Sequence, residues 1–86
     1  MKMGRRGRQE AMVGAMKAAL AQALRRRRVR RGLSQADLAK LLGSSQSRVS
    51  KIEADDPAVS LELLIRALVT TGANRREIGR AVGGPF

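Results

Sequence analysis

Apolar side chains recur along this chain at three- and four-residue steps, the period of an α-helix with one buried face. The first run, from Gln9, carries Val13, Met16, Leu20, Ala23 and Leu24 among many alanines and predicts a helix that ends at Arg31 before Gly32. Gly14 weakens its N-terminal end by about 1 kcal/mol relative to alanine, so residues 9–19 form either an extension of that helix or a short separate one. Shorter runs follow: Leu38, Leu41 and Leu42; then Val49 and Ile52; then Leu61, Leu64, Ile65, Leu68 and Val69; and finally Ile78 and Val82. Alternation of the kind a strand requires is absent, and the pattern predicts an all-α fold.

The polar positions between these runs divide the chain. Ser34 and Asp37 have the spacing of a capping box, with Leu33 and Leu38 placed as a hydrophobic staple around it. Gly43 ends that helix, since glycine enters the left-handed conformation without strain. Ser44 and Ser45 are cap candidates for the next helix, whose polar side carries Gln46, Ser47, Arg48, Ser50 and Lys51. A short helix, a tight turn and a second helix with a polar outer face make a helix-turn-helix at residues 34–53. Ala54-Asp55-Asp56-Pro57 reads as a loop, Ser60 as a cap with Glu62 in the first turn behind it, and Asn74 with Glu77 as another capping box. The expected division is a flexible basic arm at 1–8, one helix-turn-helix domain at 9–82, and a C-terminal tail at 83–86.

Charge changes the picture more than length does. The 86 residues carry 18 Lys and Arg against seven Asp and Glu, a net of +11, and eleven of those cations lie within residues 1–31 beside the single acid Glu10. A field this lopsided points to a polyanionic partner, most simply nucleic acid phosphate. An arginine-rich solvated surface is the bland alternative, and the neighbouring helix-turn-helix weighs against it. Arg25–Arg31 holds six arginines, more than one helix can bury, so most must face solvent or phosphate. Chemistry is poorly served: with no histidine and no cysteine, the commonest general base, metal ligands and thiol nucleophiles are missing. Cofactor and metal are therefore expected to be none, and an enzyme is disfavoured. No stretch approaches membrane-spanning length, and cysteine usage suits the cytoplasm.

Gly32-Leu33-Ser34-Gln35, then Leu38-Ala39, Gly43, the run from Ser45 to Glu53, and Ser60-Leu61-Glu62-Leu63-Leu64 resemble the XRE family of lambda-repressor-like and Cro-like DNA-binding domains. The likeness covers roughly residues 20–72 and implies a lambda-repressor-like bundle of about five helices, here with an extended basic N-terminal helix. It also implies that the second helix of the motif enters the major groove. Gln46, Ser47, Arg48 and Lys51 are then the base-contacting candidates, Gln46 suited to adenine and Lys51 to guanine. Gln35, Ser44, Ser45, Ser50, Arg25 and Arg26 are the phosphate-contacting candidates. Arg28 and Glu53 match a structural ion pair of the family. Where relatives often place glycine after that glutamate, this chain has Ala54-Asp55-Asp56, so its acidic loop is expected to stand back from phosphate.

One module reads too few base pairs for genomic specificity. The resemblance therefore implies a homodimer on a palindromic operator with half-sites about 34 Å apart. The expected dimer surface is either the segment around Ile78, Val82 and Phe86 or the long N-terminal helix. The function expected is a cytoplasmic, nucleoid-associated transcriptional repressor, within which the antitoxin of a toxin–antitoxin pair is a narrower expectation, with double-stranded DNA and a cognate toxin as partners. Two other readings stay open: an interaction module whose arginines bind an acidic protein, and a non-specific nucleic-acid binder. The single aromatic residue, Phe86, argues against base stacking on single strands.

Overall fold

The computed structural model describes residues 5–83, which form five helices: α1 (Arg5–Arg30), α2 (Gln35–Leu42), α3 (Gln46–Glu53), α4 (Leu61–Thr70) and α5 (Arg75–Gly83). The long helix is continuous through Gly14 and opens at Arg5. The second half of the segment expected to be an arm is therefore helical; residues 1–4 of that arm and residues 84–86 of the tail lie outside the described residues.

The caps follow from the residues that flank each helix. The Ser34 hydroxyl accepts from the Asp37 amide at 3.0 Å while the Asp37 carboxylate accepts from the Ser34 amide at 2.8 Å, closing the capping box. Gly43, at φ 64°, donates to Lys40 and Ser44 donates to Ala39, so the last carbonyls of α2 are satisfied inside a three-residue turn. Ser45 then caps α3 through Arg48 N, and Ser60 caps α4 through Leu63 N. At α5, Asn74 Oδ1 accepts from Glu77 N at 2.9 Å.

Leu20 and Leu24 of α1, Leu38 of α2, Val49 and Ile52 of α3 and Leu64 of α4 meet in one core, each essentially without solvent contact. Burial of this kind is worth about 1.5–3 kcal/mol per large aliphatic side chain. The shorter elements gather on the C-terminal half of α1, and residues 8–15 of that helix are exposed. Met12 and Val13, at 64% and 51% exposure, lie on the part of the helix that no other element covers among the described residues. Two other apolar runs divide differently from the sequence expectation. On α2, Leu41 faces solvent and Ala39 takes the buried place. On α4, Leu64, Ala67 and Leu68 face inward, whereas Leu61, Ile65 and Val69 form an outward stripe. In both cases small alanines let the helices approach, and periodicity counts leucine and isoleucine more heavily than alanine.

Two capping carboxylates tie stability to acid. The Ser34 amide, helped by its hydroxyl, holds Asp37 below its ordinary value of 3.8. The Asn74 amide first, and Arg27 second, hold Glu77 below 4.5. Because the folded values lie below the unfolded ones, this stabilisation is complete above the ordinary carboxylate range and is lost as pH falls through it. The urea midpoint is expected to be flat from neutrality to about pH 5 and to drop below that. The double variant Asp37→Asn/Glu77→Gln should be less stable at neutrality and show a shallower acid drop. An acid drop of unchanged size would contradict the assignment.

Candidate nucleic-acid interface

The outward side of α3 is polar because its two apolar residues are used on the other side. Val49 and Ile52 are fully buried, while Gln46, Ser47, Arg48, Ser50 and Lys51 are all exposed. All four base-contacting candidates therefore stand on one short helix, together with Ser50. Ser47, Arg48 and Lys51 also line one open groove of about 410 Å³, with Ser45 at its end. The capping hydroxyl of Ser45 is already engaged as an acceptor, and Ser44 is half-buried in the turn with its amide bonded to Ala39.

The C-terminal end of α3 is fixed by a buried ion pair. Arg28 Nε donates to Glu53 Oε2 at 2.5 Å and Arg28 Nη2 donates to Glu53 Oε1 at 3.0 Å, a two-point contact between α1 and α3. The third donor, Arg28 Nη1, reaches the Leu33 carbonyl at 2.9 Å just ahead of α2. Gln35 Nε2 adds a bond to Glu53 Oε1 at 3.3 Å. The side-chain amide of Gln35 is thus turned inward, and what that position offers outward is the N-terminal turn of α2. The Glu53 bond holds Arg28 above its already high ordinary value, so the guanidinium stays charged.

The six arginines of residues 25–31 do not act together. Arg27 Nε donates to the Thr71 carbonyl at 3.0 Å, Arg31 Nη1 donates to the same carbonyl, and Arg27 Nη1 also holds Glu77. With Arg28, three of the six join helices, while Arg25, Arg26, Arg30 and Arg31 stay exposed, as expected for most of the run. Thr71, the buried polar residue that receives two of these arginines, turns its hydroxyl to Leu68. Arg25 and Arg26 are both exposed and line one shallow groove on α1 with Gln22, Val29 and Arg30; Arg26 also lines a cleft against α5 that contains no residue of α2 or α3.

Lys17 is a contact that sequence reasoning missed. Its ammonium donates to the Asp56 carbonyl at 2.9 Å and lies 3.1 Å from a buried oxygen of Asp55. Asp55 takes a φ of 55°, the left-handed conformation that glycine adopts more easily and aspartate tolerates. The loop after α3 is thereby drawn to α1. Its two acids part: Asp55 faces Lys17, and Asp56 lines the groove beside Arg48 and Lys51, with its Oδ1 accepting from Ala58 N. Asp56 thus stands beside the exposed side chains of α3, while Asp55 is held on α1. A lysine four residues after Val13 on an apolar helix face was the available signal, but only the folded loop supplies its partners.

Among the described residues, no group of acids, histidines or cysteines is arranged to hold a metal ion, and no helix is long and apolar enough to cross a membrane. A family model described as helix-turn-helix matches residues 24–78, which runs from the buried Leu24 to Ile78 of α5. No curated protein and no solved structure matches the chain.

Since Glu53 retains only 4% exposure of its side chain, removing its partner leaves a buried charge uncompensated. Arg28→Met is expected to cost about 3 kcal/mol or more in urea unfolding. The paired change Arg28→Met/Glu53→Leu should recover much of that loss. A single variant no less stable than the pair would show that the contact is not buried in this sense.

Proposed function

The chain belongs to the XRE-type helix-turn-helix family, and on that premise we propose that it is a repressor that binds a palindromic operator as a homodimer. At the level of the family it is a DNA-binding regulator of transcription. The observation that carries the finer reading is the sorting of α3, on which every polar side chain of residues 46–52 is exposed and both apolar ones are buried. A helix held at its N-terminus by Ser45 and at its C-terminus by Arg28 presents those side chains in a fixed frame. In the major groove, Gln46 serves as a two-point partner for adenine and Lys51 as a donor to guanine, with Ser47 and Arg48 beside them. Arg25, Ser44, Ser45, Ser50 and the first turn of α2 at Gln35 contact phosphate. The repressor acts in the cytoplasm at the nucleoid, by occupying its operator.

For the dimer we assign the outward stripe of α4, formed by Leu61, Ile65 and Val69. Two copies that each carry +11 repel one another, and α4 is a helix with no net charge that also presents three outward apolar side chains. Its charged residues are Glu62 and Arg66, which already pair at 2.7 Å. Ile78 and Val82 are half-buried and pack against the core, so they offer less free surface, and Phe86 lies outside the described residues. A second reading, the antitoxin of a toxin–antitoxin pair, is favoured by Met12 and Val13, which stand uncovered on the projecting half of α1. Co-purification with the product of a neighbouring gene supports it; a stable homodimer indifferent to that product contradicts it.

Gln46→Ala and Lys51→Ala are each expected to weaken operator binding about tenfold or more while leaving binding to random duplex little changed. Competition binding at fixed salt measures both quantities, and an equal loss on both DNAs would sink the base-reading assignment. Ile65→Glu should convert the dimer to monomer in sedimentation without loss of helix. An unchanged dimer would remove α4 from the interface.

A further inference from the structure

The cleft between α1 and α5 contains no residue of α2 or α3. It encloses about 380 Å³, within the range of sites that hold ligands or side chains. Arg26, Arg27, Arg30 and Arg80 line it from the two helices, and Leu68, Ile78 and Ala81 are among the apolar residues between them. Only one acid, Glu77, lies among these residues, and Arg27 takes it up. Arg26, Arg30 and Arg80 are exposed around a partly apolar floor.

We propose that this cleft is a docking site for an acidic, amphipathic segment of a partner protein, with carboxylates on the arginine rim and an aliphatic side chain on the floor. Guanidinium groups match carboxylates in two-point geometry, and the Arg27–Glu77 contact already shows a carboxylate held on this cluster. The apolar floor adds what phosphate lacks. A phosphodiester backbone satisfies the charges but leaves the half-exposed apolar surface of Ala23, Ile78 and Ala81 uncovered, whereas a segment alternating acids and aliphatic residues satisfies both. A second copy of this chain is a poor occupant. It brings +11, and Asp37, Glu53, Asp55, Glu62 and Glu77 are each engaged within their own fold. The site rests on no property of α3, so a DNA-bound regulator keeps it available to a protein partner.

The test uses the whole chain and a fluorescein-labelled helical peptide of Glu and Leu, with its glutamates on one face and its leucines on the other. Fluorescence anisotropy compares three proteins: the unaltered chain, the cleft variant Arg26→Ser/Arg30→Ser/Arg80→Ser, and a charge-matched variant Arg25→Ser/Arg48→Ser/Lys51→Ser. All three cleft positions are exposed, and Arg27 is kept because it braces Thr71 and Glu77. Saturable binding that weakens at least tenfold in the cleft variant and less than threefold in the charge-matched one is the expected result. Binding that weakens equally in both, or that polyglutamate of the same length reproduces, overturns the proposal, because net charge alone would then account for it. Absence of saturable binding overturns it as well. Arg80→Ser alone, which alters a single exposed side chain on α5, is expected to weaken the peptide severalfold and guards against a folding defect in the triple variant.

Discussion

A single, largely buried ion pair sets the frame in which α3 is held. Arg28 is a residue of α1, Glu53 the last residue of α3, and the same guanidinium reaches the Leu33 carbonyl at the entrance to α2. Gln35 closes the set from the first turn of α2. Three helices thus share one charge cluster, and the direction of α3 relative to α1 follows from it. Van der Waals packing of Val49 and Ile52 would hold α3 against the core but would tolerate rotation. A two-point hydrogen-bonded contact does not, because guanidinium and carboxylate lose both bonds when either turns out of plane. Such a pair adds less to stability than its Coulomb energy suggests, since both charges leave water. Its value here is orientation.

Around that frame the cations divide by position on α1. Arg27 and Arg31 close the end of α4 by converging on Thr71, and Lys17 draws in the loop after α3. Positive charge that appears in the sequence as one continuous run is therefore partly committed to contacts within the fold. Of the remaining arginines, Arg26 and Arg30 line the cleft against α5, and both also border a shallow groove with Arg25 and Val29. The exposed side chains of α3 include two cations, Arg48 and Lys51.

Local chemistry made much of this legible before any coordinates. Ser34 with Asp37, Gly43, Ser45, Ser60 and Asn74 with Glu77 mark helix ends by hydrogen bonds that span three residues, and these need nothing from the rest of the chain. The number and order of helices follow from the same signals together with the apolar period. What escaped depends on partners far apart in sequence. Nothing near Arg27 or Arg31 announces the Thr71 carbonyl, and nothing near Lys17 announces Asp55 and Asp56. The outward turn of Leu41, Ile65 and Val69 was hidden because buried alanines carry little weight in a hydrophobic pattern. The start of α1 at Arg5 was missed for a related reason: its first turns bury no apolar face, so no periodicity reveals them.

Whether α3 reads DNA as one half of a symmetric pair is answered most directly by selecting bound sites from a pool of random duplexes with the whole protein. A two-fold palindromic consensus, with half-site centres about one helical turn apart, is the result this account predicts. Enrichment without any consensus, or a consensus lacking two-fold symmetry, would contradict it.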